Sequence, residues 1–462
     1  MSPREPSNDQ APAALVIGGG IAGIQAALDV AEGGFQVYLV ERSPSIGGRM
    51  AQLDKTFPTL DCSSCILTPR MVDVSRHPNI HLFTYSEVAR VEGQAGDFRV
   101  QIRRKPRYVD ESKCRGCGLC AEACRLSGRV RGDPLTEFNA GIAGRSAIYV
   151  PFPQAVPLVY SVDPQACVYL TRGVCGKTFK CQDACTTGAI DFNQTEQLVE
   201  INASAIVVAT GYDVFDALRK PELGYGLYPQ VITTLEFERL ASASGPTAGK
   251  IQLNGRQPQK LVFIQCVGSR DQSLGLPNCS RVCCMAVAKQ AHLAHDRLPG
   301  AEITVLYMDV RAFGKGFEEF YDRVRSEGVL YRRGNPSEVI RRGENLLVRV
   351  EDTLLGEPVE IEADLVVLAV GMQPRRGAES LAQMLNLPRG EDGYYLERHP
   401  KLQTVESGLP GVFLAGCCQG PKDIPDTVAH AKAAASAVLI SLASMRGEHT
   451  ALAEIGASYA TD

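Results

Sequence analysis

The sequence predicts an α/β fold of two dinucleotide-binding units, with a cysteine-rich module inserted between segments of the first. Three observations carry this expectation. Gly18, Gly20 and Gly23 form a G-x-G-x-x-G turn inside a complete strand–turn–helix–strand unit. Residues 260–333 repeat the strand–helix alternation, but the strand runs into cysteines where a glycine turn belongs. Between these units, cysteines stand at metal-ligand spacing.

In the first unit, apolar residues 13–17 read as a strand, 24–32 as an alanine-rich helix, and 36–40 as a second strand ending at Glu41. Gly18 makes the tight turn, Gly20 lets a pyrophosphate approach the backbone, and Gly23 allows close helix–strand packing. Glu41, 18 residues after Gly23, can accept hydrogen bonds from an adenosine ribose. Arg42 and the following Gly47, Gly48 and Arg49 complete the ER-x4-GGR extension of FAD-binding flavoproteins. There a second glycine pair approaches the pyrophosphate from the other side and the arginine adds charge. Strands ending at Thr210-Gly211, at 364–371 and at Gly416 match those of two-dinucleotide flavoproteins of the thioredoxin-reductase type. These proteins usually carry an aspartate after the last glycine. Here it is Cys417, so the ribityl contact falls to backbone or to Asp426. Val88 and Ile424 complete the expected flavin contacts, and Cys417-Cys418 reads as a small apolar pair beside the flavin.

Sixteen cysteines are many for 462 residues. Cys114, Cys117, Cys120 and Cys124 form C-x2-C-x2-C-x3-C, the ferredoxin run for four-iron cubanes. Cys167, Cys175, Cys181 and Cys185 form a looser run, C-x7-C-x5-C-x3-C, for which zinc is the alternative. Prolines usually follow the fourth cysteine; here Arg125 and Thr186 stand there. Paired runs exchange their fourth ligands. One cluster is therefore expected on Cys114, Cys117, Cys120 and Cys185, the other on Cys124, Cys167, Cys175 and Cys181. A third set, Cys266, Cys279, Cys283 and Cys284, follows the strand of the second unit. A helix starting near Ser280 would present Cys279, Cys283 and Cys284 together, with Cys266 closing a cubane or zinc site. Thiolates and a phosphate cradle cannot share that corner, which argues against NAD(P)H. Cys62-Ser-Ser-Cys65 lacks a companion pair and reads as a redox dithiol, two ligands of a cluster shared across an interface, or an inert pair. His292 and His295 read as packing or solvent-facing.

Net charge is −4, with 45% hydrophobic and 22% charged residues, so nothing favours nucleic acid or an anionic membrane surface. The polar, Pro-rich N-terminus has no basic or long apolar segment, and no run of about 18 apolar residues is evident. The expectation is a cytoplasmic protein without membrane insertion, its cysteines serving as metal ligands. The segments divide as FAD-binding 12–105, inserted ferredoxin-like two-cluster module 106–195, FAD-binding 196–255, cluster-bearing degenerate nicotinamide-type domain 256–372 and FAD-binding 373–462.

The chain resembles the A subunit of heterodisulfide reductase, which carries FAD and iron–sulfur clusters and bifurcates electrons. The matching stretches are LDCSSCILTP at 60–69, KPRYVD at 105–110, AIYVPFPQAVP at 147–157, QCVGSRD at 265–271, CSRVCC at 279–284, GKGFEEFY at 314–321 and QGPKDIPD at 419–426. The archaeal protein's N-terminal cluster domain and C-terminal two-cluster ferredoxin domain have no counterpart in these residues. The resemblance implies FAD, three [4Fe-4S] clusters, and an acid and a lysine near the flavin N5. By local match these are Glu236 and Lys289, with Lys401 a further cation. It also implies B- and C-like partner subunits, ferredoxin, a hydrogenase, formate dehydrogenase or acyl-CoA reductase module, and a dimer of complexes. Two other readings compete: an NAD(P)H-dependent flavin reductase of the glutamate-synthase small-subunit type, and a non-bifurcating electron-wiring subunit.

Overall fold

The structure is a computed structural model that describes residues 12–127 and 136–446. The first eleven residues of the Pro-rich N-terminus, part of the inserted module (128–135) and the end of the last segment (447–462) lie outside the described residues. Strand Ala13–Ile17 is wholly buried inside a seven-stranded sheet, flanked in parallel by Gln36–Glu41 and Ala205–Val208. Alternation sorts its side chains. Ala14 and Val16 join a core with helices Ile21–Glu32, Ser63–Arg76 and Ile424–Arg446. Leu15 and Ile17 face Phe98, Val100, Ile102 and Ile201 of a three-stranded antiparallel layer.

The second unit repeats this plan. Its five strands run parallel in the order Val231–Thr233, Leu365–Val370, Lys260–Val267, Glu302–Tyr307, Leu330–Arg333. Phe263 and Val305 pack against helices Thr234–Ala241, Cys283–Arg297 and Phe317–Ser326, while Val262, Ile264 and Leu306 face the antiparallel strands Pro336–Arg342 and Asn345–Asp352. Val231 pairs with Val366, so the segment from 231 belongs to this second sheet and not to 196–255 of the first unit. The antiparallel pair Tyr212–Val214 and Met372–Pro374 forms the connection between the units.

Two further expectations change. Among the described residues, helix Ile424–Arg446 is long and apolar enough to cross a membrane by length and composition. Its alanines carry that hydropathy, and Ala431, Ala434, Ala435, Val438 and Leu442 pack into the first core. The helix carrying cluster cysteines begins at Cys283, not near Ser280. Arg281 adopts φ 62°, which interrupts the helical path and leaves Cys279 in the preceding loop.

Arg239 is completely buried where three segments meet. It donates to Gln52 O at 2.9 Å and Asn139 Oδ1 at 3.0 Å, and its guanidinium lies 4.6 Å from the Phe138 ring centre. Arg239→Met should strand both acceptors in the interior and cost about 3 kcal/mol, read as a lower midpoint in urea.

Candidate functional site

A cavity of about 1200 Å³ runs from the first glycine turn into the second unit. Gly18, Gly20, Glu41, Arg42, Gly48, Arg49, Thr210, Gly211 and Ile424 line it. Gly23 and Gly47 support this wall from behind. A Cβ on Gly23 would lie 1.8 Å from Gly18 O, so helix Ile21–Glu32 can pack close to the turn only with glycine there. Gly48 has φ +57°, and a Cβ there would lie 2.8 Å from Gly20 Cα. The two glycine loops thus face each other as a cradle that a methyl group would fill. Gly48→Ala should weaken flavin retention about tenfold, read as FAD per chain after dialysis.

Charge in the cavity suits a diphosphate. Asp213 accepts from Arg49 at 3.1 Å, from Arg375 Nη1 at 2.7 Å and from the backbone N–H of Arg376 at 2.9 Å. Burial, helped by the nearby Arg42, lowers the Arg375 pKa to about 10. Arg49 Nε is buried without a hydrogen-bond partner among the described residues. Positive charge therefore exceeds what Asp213 neutralises, and one donor remains free for an anionic ligand. Glu41 accepts from the N–H groups of Gly19 and Ser43, both at 2.7 Å, which fixes its carboxylate at the strand end. The residues present fit FAD. Arg375, Arg376, Asp213, Tyr212 and Lys422 also line the cavity and escaped the sequence reading. The first four come from strand ends and Lys422 from the loop before helix Ile424–Arg446, which sequence alone does not bring together.

Several expected contacts stand elsewhere. Val88 lies on strand Ser86–Gln94 paired with Ile102, and Gly416 donates its N–H to His430 Nδ1 at 2.9 Å; neither lines the cavity. Asp426 is exposed, pairs with Arg281 at 2.9 Å and does not line the cavity. Cys417 lines the cavity, and Cys418 lies behind it with its thiol donating to Val208 O at 3.0 Å. His292 is buried and contacts Glu327 at 2.8 Å.

The acid–lysine pair also differs in register. Lys289 and Glu238 are both 2% exposed, form an ion pair and line the cavity. Lys289 Nζ also donates to Lys55 O at 2.9 Å, and Glu238 Oε2 accepts from Asp54 N at 3.0 Å. Glu236 instead closes a capping box, accepting from Thr233 N at 2.6 Å, and lies off the cavity wall. The T-x-x-E pattern at Thr233 and Glu236 is the sequence signal for that capping role. Lys401 is exposed in a turn after His399 and does not line the cavity. Among the further cations on the wall is Lys422, whose pKa burial lowers.

Three groups of thiols form by mutual proximity. Burial, then repulsion from Cys114, Cys185 and Cys117, raises the Cys120 pKa to about 12. Burial with Cys124, Cys167 and Cys175 raises that of Cys181 to about 11. At Cys185 burial is outweighed by hydrogen bonds from Thr187 and backbone N–H groups, and the pKa falls. Burial and Cys266, Cys284 and Cys279 push Cys283 far upward, and Cys283 itself lines the flavin cavity. Converging thiols are a donor set lacking its counter-charge, which iron supplies. Among the described residues no three His, Cys, Asp or Glu converge as one ion requires. Four sulfurs around one tetrahedral zinc would stand about 3.8 Å apart, whereas a cubane spreads its ligands more widely. The Cys114–Cys124 run fits a four-iron cluster by its ferredoxin spacing.

At the corner after strand Lys260–Val267, Cys266 and Gly268 have φ 62° and 68°. A Cβ on Gly268 would strike the Phe215 ring, and one on Gly371 would lie 2.6 Å from Gly268 O. Ser280 N donates to Ser269 Oγ at 3.0 Å across the same corner. Side chains and backbone thus pack closely at this corner.

These features define an iron–sulfur flavoprotein of the oxidoreductase class. Family models agree: FAD dependent oxidoreductase matches residues 14–108, pyridine nucleotide-disulphide oxidoreductase 283–435, and 4Fe-4S binding domain 107–125. The A subunit of the H(2):CoB-CoM heterodisulfide,ferredoxin reductase of Methanothermobacter marburgensis is 51% identical over 94% of the chain and 64% of its own length. The iron-sulfur A subunit of the CoB–CoM heterodisulfide reductase of Methanocaldococcus jannaschii is 53% identical over 93% of the chain and 64% of its own length. The chain is similar to these heterodisulfide reductase A subunits and spans about 64% of their length. Among solved structures, the thioredoxin reductase of T. acidophilum matches with TM-score 0.51 and 13% identity, covering 95% of this chain and 99% of that one. That likeness shows the two-unit fold.

Proposed function

We propose that the chain is the FAD- and cluster-bearing electron-transfer subunit of a heterodisulfide-reductase-like complex, receiving electrons in pairs at the flavin and releasing them singly. One observation carries this reading: Cys283, in the third thiol group, lines the same cavity as Gly18, Glu41 and Lys289. Bound FAD supplies the conversion between two-electron and one-electron chemistry. Gly20, Gly48 and Arg49 would hold its diphosphate, and Glu41 its adenosine ribose. Lys289, held by Glu238 and Lys55 O on the cavity wall, would offer positive charge to the anion of reduced flavin. Cys266, Cys279, Cys283 and Cys284 would hold the cluster nearest the flavin, and the inserted module two more.

B- and C-like subunits, ferredoxin and a hydrogenase, formate dehydrogenase or acyl-CoA reductase module are the partners this reading names, in a cytoplasmic dimer of complexes. Splitting each electron pair between a high- and a low-potential acceptor is its fullest form. The test is an anaerobic redox titration of the purified complex, with flavin absorbance and cluster resonance followed together. Crossed one-electron flavin potentials support bifurcation, and ordered potentials reduce the chain to an electron-wiring subunit. Stoichiometric reduction of the flavin by NADH would revive the pyridine-nucleotide reading, against which the filled corner at Gly268 counts.

A further inference from the structure

The flavin and cluster readings leave Cys62 and Cys65 unused. Their sulfurs are joined as a disulfide, whereas the other fourteen cysteines are free thiols. Cys62 caps helix Ser63–Arg76, its Sγ accepting from Cys65 N at 3.3 Å. Cys62 is half-buried and Cys65 exposed. The neighbouring Asp61 and Ile66 both line the flavin cavity, and Ile66 lies one turn beyond Cys62. The Cys62 backbone pairs with Lys55, whose carbonyl accepts from Lys289 Nζ. Phe57, in the intervening loop, packs edge-on against Phe317 with ring centres 5.4 Å apart. The disulfide therefore rides on the loop that closes the Cys283 and Lys289 end of the cavity.

A purely structural role explains little here. A cross-link spanning three positions restrains the unfolded chain least, because that stabilisation grows with loop length. The placement instead separates two tasks. Cys62, the more buried of the two cysteines, stands at the helix N-terminus, which favours a thiolate there. Cys65, at the surface, is open to attack by or upon an external sulfur.

We propose that Cys62–Cys65 is a redox-active disulfide that exchanges an electron pair with the flavin and delivers it to an external disulfide. This rests on the flavin reading above. The S–S bond takes one electron pair and one proton from reduced flavin, leaving the flavin oxidised, Cys62 a thiolate and Cys65 a thiol. The Cys65 sulfur, on losing its proton, then attacks the external disulfide, releasing one thiolate and forming a mixed disulfide. Cys62 attacks Cys65 in turn, which restores the internal bond and releases the second thiolate.

The test uses the full chain carrying FAD and clusters, under anaerobic conditions. The native chain should accept two more electrons than Cys62→Ser/Cys65→Ser, the count of one disulfide couple. Alkylation followed by peptide mass spectrometry should label Cys65 only after reduction, and only while FAD is bound. The reduced native chain should release two thiolates from 5,5′-dithiobis(2-nitrobenzoate) that the double variant does not. Equal electron uptake, labelling of Cys65 before reduction, or loss of four iron atoms in the double variant would each overturn the proposal, the last by making the pair cluster ligands. Should the double variant fail to fold, the labelling of the native chain still decides. A chain purified without FAD sinks the flavin reading itself; a flavin that turns over beside an unreactive pair sinks this inference alone.

Discussion

A Cys185→Ala chain is expected to lose the cluster that Cys114, Cys117 and Cys120 help to hold, and to keep the one at Cys124, Cys167, Cys175 and Cys181. Iron should fall from about 12 to about 8 per chain, one cubane of three. The reason is spatial: Cys185 is among the thiols that raise the Cys120 pKa, while Cys124, Cys167 and Cys175 act on Cys181. A double variant separates this from ligation by consecutive cysteines. Adding Cys114→Ala to Cys185→Ala should remove no further iron, because both changes empty one site. Adding Cys181→Ala should remove about four more. Iron analysis with cluster resonance spectra reads both results. If the pairing of effects is reversed, each run holds its own cluster and the exchange is wrong.

Lys289→Met should produce the second large effect, on flavin potential and on stability together. Removing the ammonium leaves the Glu238 carboxylate buried at 2% exposure with only neutral donors, Gln290 Nε2 and Asp54 N. Stranding such a charge costs about 3–5 kcal/mol, read as a lower denaturation midpoint. Losing the cation also disfavours anionic reduced flavin. A loss of about 1.4 kcal/mol would move the two-electron potential down by about 30 mV. Glu238→Gln in the same chain should restore much of the stability while leaving the potential low. A variant that is destabilised at unchanged potential would make the pair structural only.

The acid partner of Lys289 shows where linear reading runs out. Glu236 and Glu238 lie two positions apart on one short helix, so they point to different faces. Proximity to a family motif cannot choose between them. The Thr233 capping box could have excluded Glu236, since its carboxylate is spent on the helix N-terminus. Lys401 illustrates the opposite case, a cation in a matching stretch that the fold leaves in a surface turn. Asp426 follows the same logic: Arg281 holds it outside the cavity that its neighbours line.

By itself the sequence determined the two nucleotide-type units, the FAD-type glycine loops and the cysteine sets, because each depends on short-range spacing that the backbone must obey. Phosphate cradles need glycine at particular turns, and ferredoxin ligands need a few residues between sulfurs. Only the tertiary structure decided which unit owns 231–241, which glutamate meets Lys289, which arginines surround Asp213, and how near Cys62–Cys65 stands to the flavin cavity. Those contacts join residues tens to hundreds of positions apart, and what brings them together is the packing of two buried sheets rather than any local preference of the chain.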